Sequence, residues 1–206
     1  MSLSGFAHRF VPAEEPGAPT LLVLHGTGGD ENDLLALGRM LRPGAAILSP
    51  RGRVLEQGMP RFFRRLAEGV FDQEDLARRT MELDEFIAAS AATYHFDPSR
   101  VLAVGYSNGA NIAASLLLAR PRTLAGAVLF RAMLPFEPAS TPDLSGRAIL
   151  LSAGKQDPLI PQALTARLAD LLREAGAEVT LSWHDTGHGL LQSEIGAAGR
   201  WTAEQF

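Results

Sequence analysis

The 206-residue sequence predicts an α/β architecture in which a mainly parallel central sheet is flanked by helices on both faces. Three observations carry that prediction. Short apolar runs alternate along the chain with stretches of helical period. Glycine-rich or polar turns follow the carboxyl ends of most of those runs, as the crossovers of a parallel sheet require. A hydrophobic content of 46% with no Pro/Gly/Ser linker or charge run gives enough apolar mass for one sizeable core, so one domain over 1–206 is expected.

The N-terminal segment containing His8 is read as exposed, and a proline-rich entry (Pro12, Pro16, Pro19) precedes the first strand. That strand is Leu21-Leu22-Val23-Leu24, a continuous apolar run of the kind buried on both faces. It empties into His25-Gly26-Thr27-Gly28-Gly29-Asp30, after which Leu34, Leu37 and Leu41 recur at helical spacing with Asp30 or Asn32 as candidate caps. Ala45-Ala46-Ile47-Leu48 is the second strand and stops at Pro50. From Arg51 to Phe71 no period holds. A long helix starts at Asp72, carries Leu76, Thr80, Leu83, Ile87, Ala91 and Tyr94 on one stripe, and ends before Asp97-Pro98.

A β-branched run then leads into Gly105-Tyr106-Ser107-Asn108-Gly109 and a small-residue helix. Ala125 to Phe130 is a fourth strand, and Arg131 to Gly146, with three prolines, is irregular. Arg147 to Ser152 is a fifth strand, opening into Gly154-Lys155-Gln156-Asp157-Pro158. Leu164, Leu168, Leu171 and Ala175 mark a helix that stops at Gly176. In the last strand Val179, Leu181 and Trp183 alternate with polar residues, which places it near an edge, and His184 to Gly189 follows. The remainder reads as weakly helical.

Composition narrows the function classes. A net charge of −4 and a pI near 5.7 offer no basic stripe for nucleic acid, since Arg61, Arg64 and Arg65 are followed at once by Glu68, Asp72, Glu74 and Asp75. With no cysteine, covalent catalysis must use oxygen or nitrogen. The N-terminus lacks a basic start followed by an apolar run, and no segment stays apolar long enough to span a bilayer, so a cytoplasmic location is expected.

Gly-x-Ser-x-Gly between a strand and a helix points to a nucleophile on a tight turn. Side chains at 105 and 109 would collide there, and the helix start directs unpaired N–H groups and a favourable dipole toward Ser107. A serine hydroxyl needs a base, and the base a carboxylate to fix its tautomer. His188, in a glycine-flanked loop after the last strand, is favoured over His184 four residues earlier. His8 and His95 are read as exposed, and His25 as a strand-end residue. Asp157 follows a strand end directly, whereas Asp143 lies in an irregular loop, Asp170 on a helix surface and Asp185 too close to His188 in sequence.

Backbone N–H groups of Asn108 and Thr27 are the candidate oxyanion donors. A phosphate-cradling reading of residues 25–29 fails because the spacing is not Gly-x-Gly-x-x-Gly and no Walker-type lysine is present. A metal site from His184 and His188 lacks a third ligand and is broken by Thr186-Gly187. Phe62, Phe63, Met133, Leu134 and Phe136 could line an acyl or aryl pocket or simply close the core.

His25-Gly26-Thr27-Gly28-Gly29-Asp30-Glu31, Gly105-Tyr106-Ser107-Asn108-Gly109-Ala110-Asn111, Gly154-x-x-Asp157-Pro158 and Gly187-His188 together resemble the bacterial carboxylesterase/phospholipase-like branch of the α/β-hydrolases. This branch is related to acyl-protein thioesterases and dienelactone hydrolases. The resemblance spans nearly the whole chain and implies the α/β-hydrolase fold, without a large lid domain. It implies a serine esterase with Ser107 as nucleophile, Asp157 and His188 completing the triad, and Thr27 and Asn108 as oxyanion donors. Where acyl-protein thioesterases carry Gln-Gly-Gly after the serine, this chain has Asn108-Gly109-Ala110, a pattern closer to small-ester hydrolases, including those associated with aromatic or hydroquinone stress.

The expected activity is hydrolysis of small carboxylic esters, without a cofactor or metal. Thioester, lysophospholipid, lactone or dienelactone cleavage on the same residues is the alternative, and a non-catalytic binding protein on this fold is the reading from another class. The expected partner is a small-molecule ester, with no nucleic acid and no stable membrane insertion, and a homodimer is the candidate assembly.

Overall fold

The computed structural model describes residues 2–14 and 17–206, so Pro16 lies outside the described residues. Twelve strands and five helices are defined among them. They are β1 (Ser2–Leu3), β2 (Phe6–Val11), β3 (Thr20–Leu24), α1 (Leu35–Leu41), β4 (Ala46–Pro50), β5 (Val54–Glu56), β6 (Met59–Arg61), β7 (Arg65–Ala67), β8 (Val70–Phe71), α2 (Gln73–Tyr94), β9 (Val101–Tyr106), α3 (Asn108–Ala119), β10 (Gly126–Phe130), β11 (Ala148–Gly154), α4 (Gln162–Glu174), β12 (Glu178–His184) and α5 (Gln192–Gln205).

Eight strands form one sheet in the order β1-β2-β4-β3-β9-β10-β11-β12. From β4 to β12 every pairing is parallel, and β2 and β1 continue the other end antiparallel. The pleat sends alternate residues to opposite faces. Leu22, Leu24, Ala103, Ala127, Leu129, Ile149 and Leu151 join a core with residues of α2, α3 and α4. Their neighbours Leu21, Val23, Leu102, Val104, Val128, Phe130 and Leu150 join a second core with α1 and α5. Continuous apolar runs are thus the direct consequence of a sheet covered on both sides.

The expected strands all form, with β12 at the edge beside β11. The long helix forms as α2 from Gln73, one residue after the expected start, with Asp72 as its N-cap, whose carboxylate accepts from Asp75 N–H at 3.0 Å. Other expectations need correction. The segment around His8 is strand β2, and His8 is buried, with Nδ1 3.0 Å from the Phe6 carbonyl and Nε2 2.7 Å from the Tyr94 hydroxyl. Neither Asp30 nor Asn32 caps α1. Asp30 instead turns back to accept from Asn32 N–H at 2.7 Å, and the helix begins after Leu34 without a side-chain cap. Residues 51–71 fold into two small hairpins, β5–β6 and β7–β8. The C-terminal segment, read as helical, forms the 14-residue helix α5. None of the helices among the described residues is long and apolar enough to cross a membrane.

Topology fixes where a site can form. From β3 the chain moves outward to β4 and returns on the other side of β3 as β9, so the loops leaving β3 and β9 diverge and open a crevice at the carboxyl edge of the sheet. At that crevice the backbones of β3, β9 and α3 approach so closely that a Cβ on Gly109 would overlap the Leu24 carbonyl, and one on Gly105 would overlap the backbone of Ala110. Gly109→Ala is therefore expected to destabilise the fold by about 1–3 kcal/mol, the usual scale of overpacking, read as a lower urea midpoint at unchanged m-value.

Candidate active site

Ser107 stands between β9 and α3 with φ 52° and ψ −113°, a conformation that non-glycine residues rarely adopt. Its backbone is secured on both sides. Ser107 N–H donates to the Phe130 carbonyl at 2.9 Å, and the Ser107 carbonyl accepts from Asn111 N–H at 2.9 Å.

His188 Nε2 lies 3.0 Å from Ser107 Oγ, and His188 Nδ1 lies 2.7 Å from Asp157 Oδ2. A carboxylate facing Nδ1 places the ring proton there, which leaves Nε2 to accept from the serine hydroxyl. The Asp157 side chain is 1% exposed. Its other oxygen, Oδ1, accepts from Leu159 N–H at 2.9 Å and Ile160 N–H at 3.2 Å, which fixes the carboxylate plane and leaves Oδ2 for the imidazole. The two loops are docked together by Lys155 N–H to the His184 carbonyl at 2.9 Å and Gln156 N–H to the Thr186 carbonyl at 3.0 Å. Gly154 is required for this docking, because a Cβ there would overlap the carbonyls of Thr186 and Gly187.

A cleft of about 330 Å³ opens beside Ser107. Thr27 and Asn108 line it, and among the described residues neither backbone N–H has a hydrogen-bond acceptor. Phe71, Met133, Leu159 and Ile160 supply apolar surface, while Arg61 and Arg65 supply charge. Of the five pocket candidates only Met133 lines the cleft. Phe62 and Phe63 are instead buried in the core, and Leu134 and Phe136 pack against it half-buried, so these four side chains close the core rather than line the opening.

Two asparagines of the elbow helix brace the cleft walls. Asn108 Oδ1 accepts from Phe62 N–H at 2.7 Å, and Asn111 Oδ1 accepts from Met133 N–H at 2.9 Å. On the far wall Arg61 Nη1 donates to Thr27 Oγ1 at 2.6 Å and Nε donates to the Phe63 carbonyl at 3.2 Å. Burial pulls Arg61 below the ordinary arginine value, with Arg65 adding repulsion and Glu56 opposing it.

His25 has a structural part. Nδ1–H donates to the Gly26 carbonyl at 2.6 Å and Nε2 accepts from Gly52 N–H at 2.9 Å, tying the glycine-rich turn to the loop after β4. Burial lowers its pKa, outweighing the Gly26 hydrogen bond and the nearby Asp33 and Asp30. His184 remains at the end of β12 and does not reach Ser107; its Nε2 lies 3.9 Å from Glu194 Oε2. Sequence reasoning passed over Tyr106, Arg131 and Glu194, whose contacts converge on the His188 loop. The one available signal was an arginine in the apolar run Val128-Leu129-Phe130-Arg131-Ala132-Met133.

A serine on a strand-to-helix elbow at the carboxyl edge of this sheet, with a histidine and an aspartate arriving from later strands, defines a protein of the α/β-hydrolase class. The family model described as Phospholipase/Carboxylesterase matches residues 7–204, and the chain belongs to that family of hydrolases. A curated relative, the putative hydrolase MhqD of Bacillus subtilis, is 51% identical over 184 residues, covering 89% of this chain and 92% of the relative. Among solved structures, the Bacillus cereus carboxylesterase is 47% identical with a TM-score of 0.96, covering 98% of this chain and 95% of that one. A carboxylesterase from Mesorhizobium loti is 30% identical with a TM-score of 0.90 over 96% and 94% of the two chains.

The lowered pKa of His25 has a signed consequence. An unfolded histidine takes up its proton near pH 6.5 while the folded one does not, so stability is full above that pH and declines as pH falls below about 6.5, by at most about 1.4 kcal/mol per pH unit. Urea titrations at pH 7.5 and 5.5 should show this loss. In His25→Gln, whose side-chain oxygen can accept from Gly52 N–H, the difference should shrink.

Proposed function

We propose that the protein is a serine carboxylesterase that hydrolyses small carboxylic esters through an acyl-enzyme on Ser107. The observation that carries this reading is the unbroken relay from Asp157 through His188 to Ser107, at 2.7 and 3.0 Å, at the mouth of the cleft. In the first step Ser107 Oγ attacks the ester carbonyl carbon as its proton passes to His188 Nε2. The oxyanion that forms accepts from the N–H groups of Thr27 and Asn108, each donor being worth on the order of 3 kcal/mol of transition-state stabilisation. His188 then protonates the leaving alcohol, and the acyl group stays on Ser107. In the second step His188 takes a proton from water, the hydroxide adds to the acyl carbon, and the acid departs as Ser107 Oγ recovers its proton. Asp157 stays ionised and holds the imidazole in the tautomer that both steps use.

A cleft of about 330 Å³ with apolar surface from Phe71, Met133, Leu159 and Ile160 suits a short acyl chain or a single aromatic ring. The names of the related Bacillus and Mesorhizobium carboxylesterases support ester chemistry here. A panel of esters, thioesters, lactones and dienelactones would rank the bonds cleaved, with short carboxylic esters expected to have the highest kcat/KM.

Ser107→Ala should remove detectable turnover of p-nitrophenyl acetate while leaving the circular dichroism spectrum unchanged. Asp157→Asn should lower kcat by about 10⁴-fold, because the amide favours the wrong tautomer of His188. Undiminished hydrolysis by Ser107→Ala would overturn the proposal.

A further inference from the structure

Arg131 has no part in the steps just described, yet its position is unusual in three respects. It lies at the carboxyl end of β10 in an otherwise apolar run, it is fully buried, and it holds a left-handed backbone conformation with φ 58°. Its guanidinium is engaged on every side. Nε donates to the Gly187 carbonyl at 3.1 Å, Nη1 to the Ser152 carbonyl at 3.1 Å, and Nη2 to the Gly189 carbonyl at 2.5 Å. Nη2 also faces the carboxylate of Glu194 at 3.0–3.1 Å in an ion pair with no exposed surface on either side chain. The Arg131 N–H donates to the same Ser152 carbonyl at 2.9 Å.

The carbonyl between those two glycines is held as well. Tyr106 donates its hydroxyl to the His188 carbonyl at 3.1 Å, and burial keeps that phenol above its ordinary pKa and therefore protonated. Three successive carbonyls, of Gly187, His188 and Gly189, are thus each fixed by a donor, from Arg131 just after β10 or from Tyr106 at the end of β9. The peptide planes on both sides of the His188 Cα cannot turn without breaking one of these bonds. Glycines at 187 and 189 would otherwise leave that stretch the freest part of the loop.

We propose that Arg131, aligned by Glu194, is a positioning residue: it clamps the Gly187 and Gly189 carbonyls on either side of His188, with Tyr106 on the carbonyl between them, and so holds the imidazole between Asp157 and Ser107. The inference rests on the esterase reading of Ser107 and His188 and adds a group that touches neither substrate nor the reacting atoms. Arginine suits the task because its planar fork reaches several acceptors at fixed angles, which the single ammonium of lysine cannot do. Glu194 compensates a charge that would otherwise be stranded in the core.

The test compares wild type with Arg131→Lys and Arg131→Gly, following kcat and KM for p-nitrophenyl acetate and hydrogen exchange of residues 185–190. Lysine keeps a charge opposite Glu194, and glycine suits the left-handed backbone while deleting the clamp. Misplacement of His188 by about an ångström should lower kcat by about 100-fold in both variants, with KM nearly unchanged and faster exchange in the loop. Guanidinium chloride, well below denaturing concentration, should restore part of the kcat of Arg131→Gly and slow the loop exchange, whereas urea at equal concentration should not. A folded Arg131→Lys protein with kcat within about twofold of wild type and unchanged loop exchange overturns the clamp. If Arg131→Gly fails to fold, Arg131→Lys alone decides. Should Ser107→Ala retain full activity, the esterase reading fails instead, and loop exchange still decides the clamp because it needs no turnover to be measured.

Discussion

The backbone of Ser107, at φ 52° and ψ −113°, is the constraint on which the rest of the site depends. A serine held there costs on the order of 1–3 kcal/mol in backbone strain, and it persists only because its surroundings over-determine it. Hydrogen bonds to Phe130 and Asn111 secure the turn, and Gly105 and Gly109 let β3, β9 and α3 meet with almost no space between their backbones. The result is a hydroxyl presented at the edge of a rigid parallel sheet, where its partners can be delivered only by loops from other strands. Asp157 and His188 arrive in that way, and Gly154 permits the approach of their two loops.

Most of the sheet was legible because a strand buried on both faces must be apolar at every position, a pattern that survives without knowledge of its neighbours. The strands after Leu21, Val101, Gly126 and Ala148 are of this kind. Strand β2 escaped notice because its inward positions Phe6 and His8, with the half-buried Phe10, include a histidine that reads as polar until Tyr94 and the Phe6 carbonyl are seen to satisfy it. Residues 51–71 defeated periodicity for another reason. Their hairpins have only two or three residues per strand, too few to show alternation.

The site divides along the same line. Ser107, Asp157 and His188 could be picked out because each follows a strand end in a turn rich in glycine or proline, and the structure brings their side chains within hydrogen-bonding distance. The cleft walls could not, since which ring faces the opening depends on how the hairpins dock. Asn108 and Asn111 show what composition hides: from adjacent turns of α3, their side-chain oxygens hold the loops at Phe62 and Met133, so the elbow helix also frames the cleft. Arg131 and Glu194 are a further case, two charges distant in sequence that meet as a buried ion pair only when the chain has folded.

The central claim is that Ser107 is made nucleophilic by its relay and its elbow, and covalent trapping tests it most directly. After treatment with a fluorophosphonate, intact-mass spectrometry and peptide mapping should find one adduct per chain, on the peptide containing Ser107, and none when the protein is unfolded before treatment. An unmodified chain, or an adduct confined to another residue, would contradict the account.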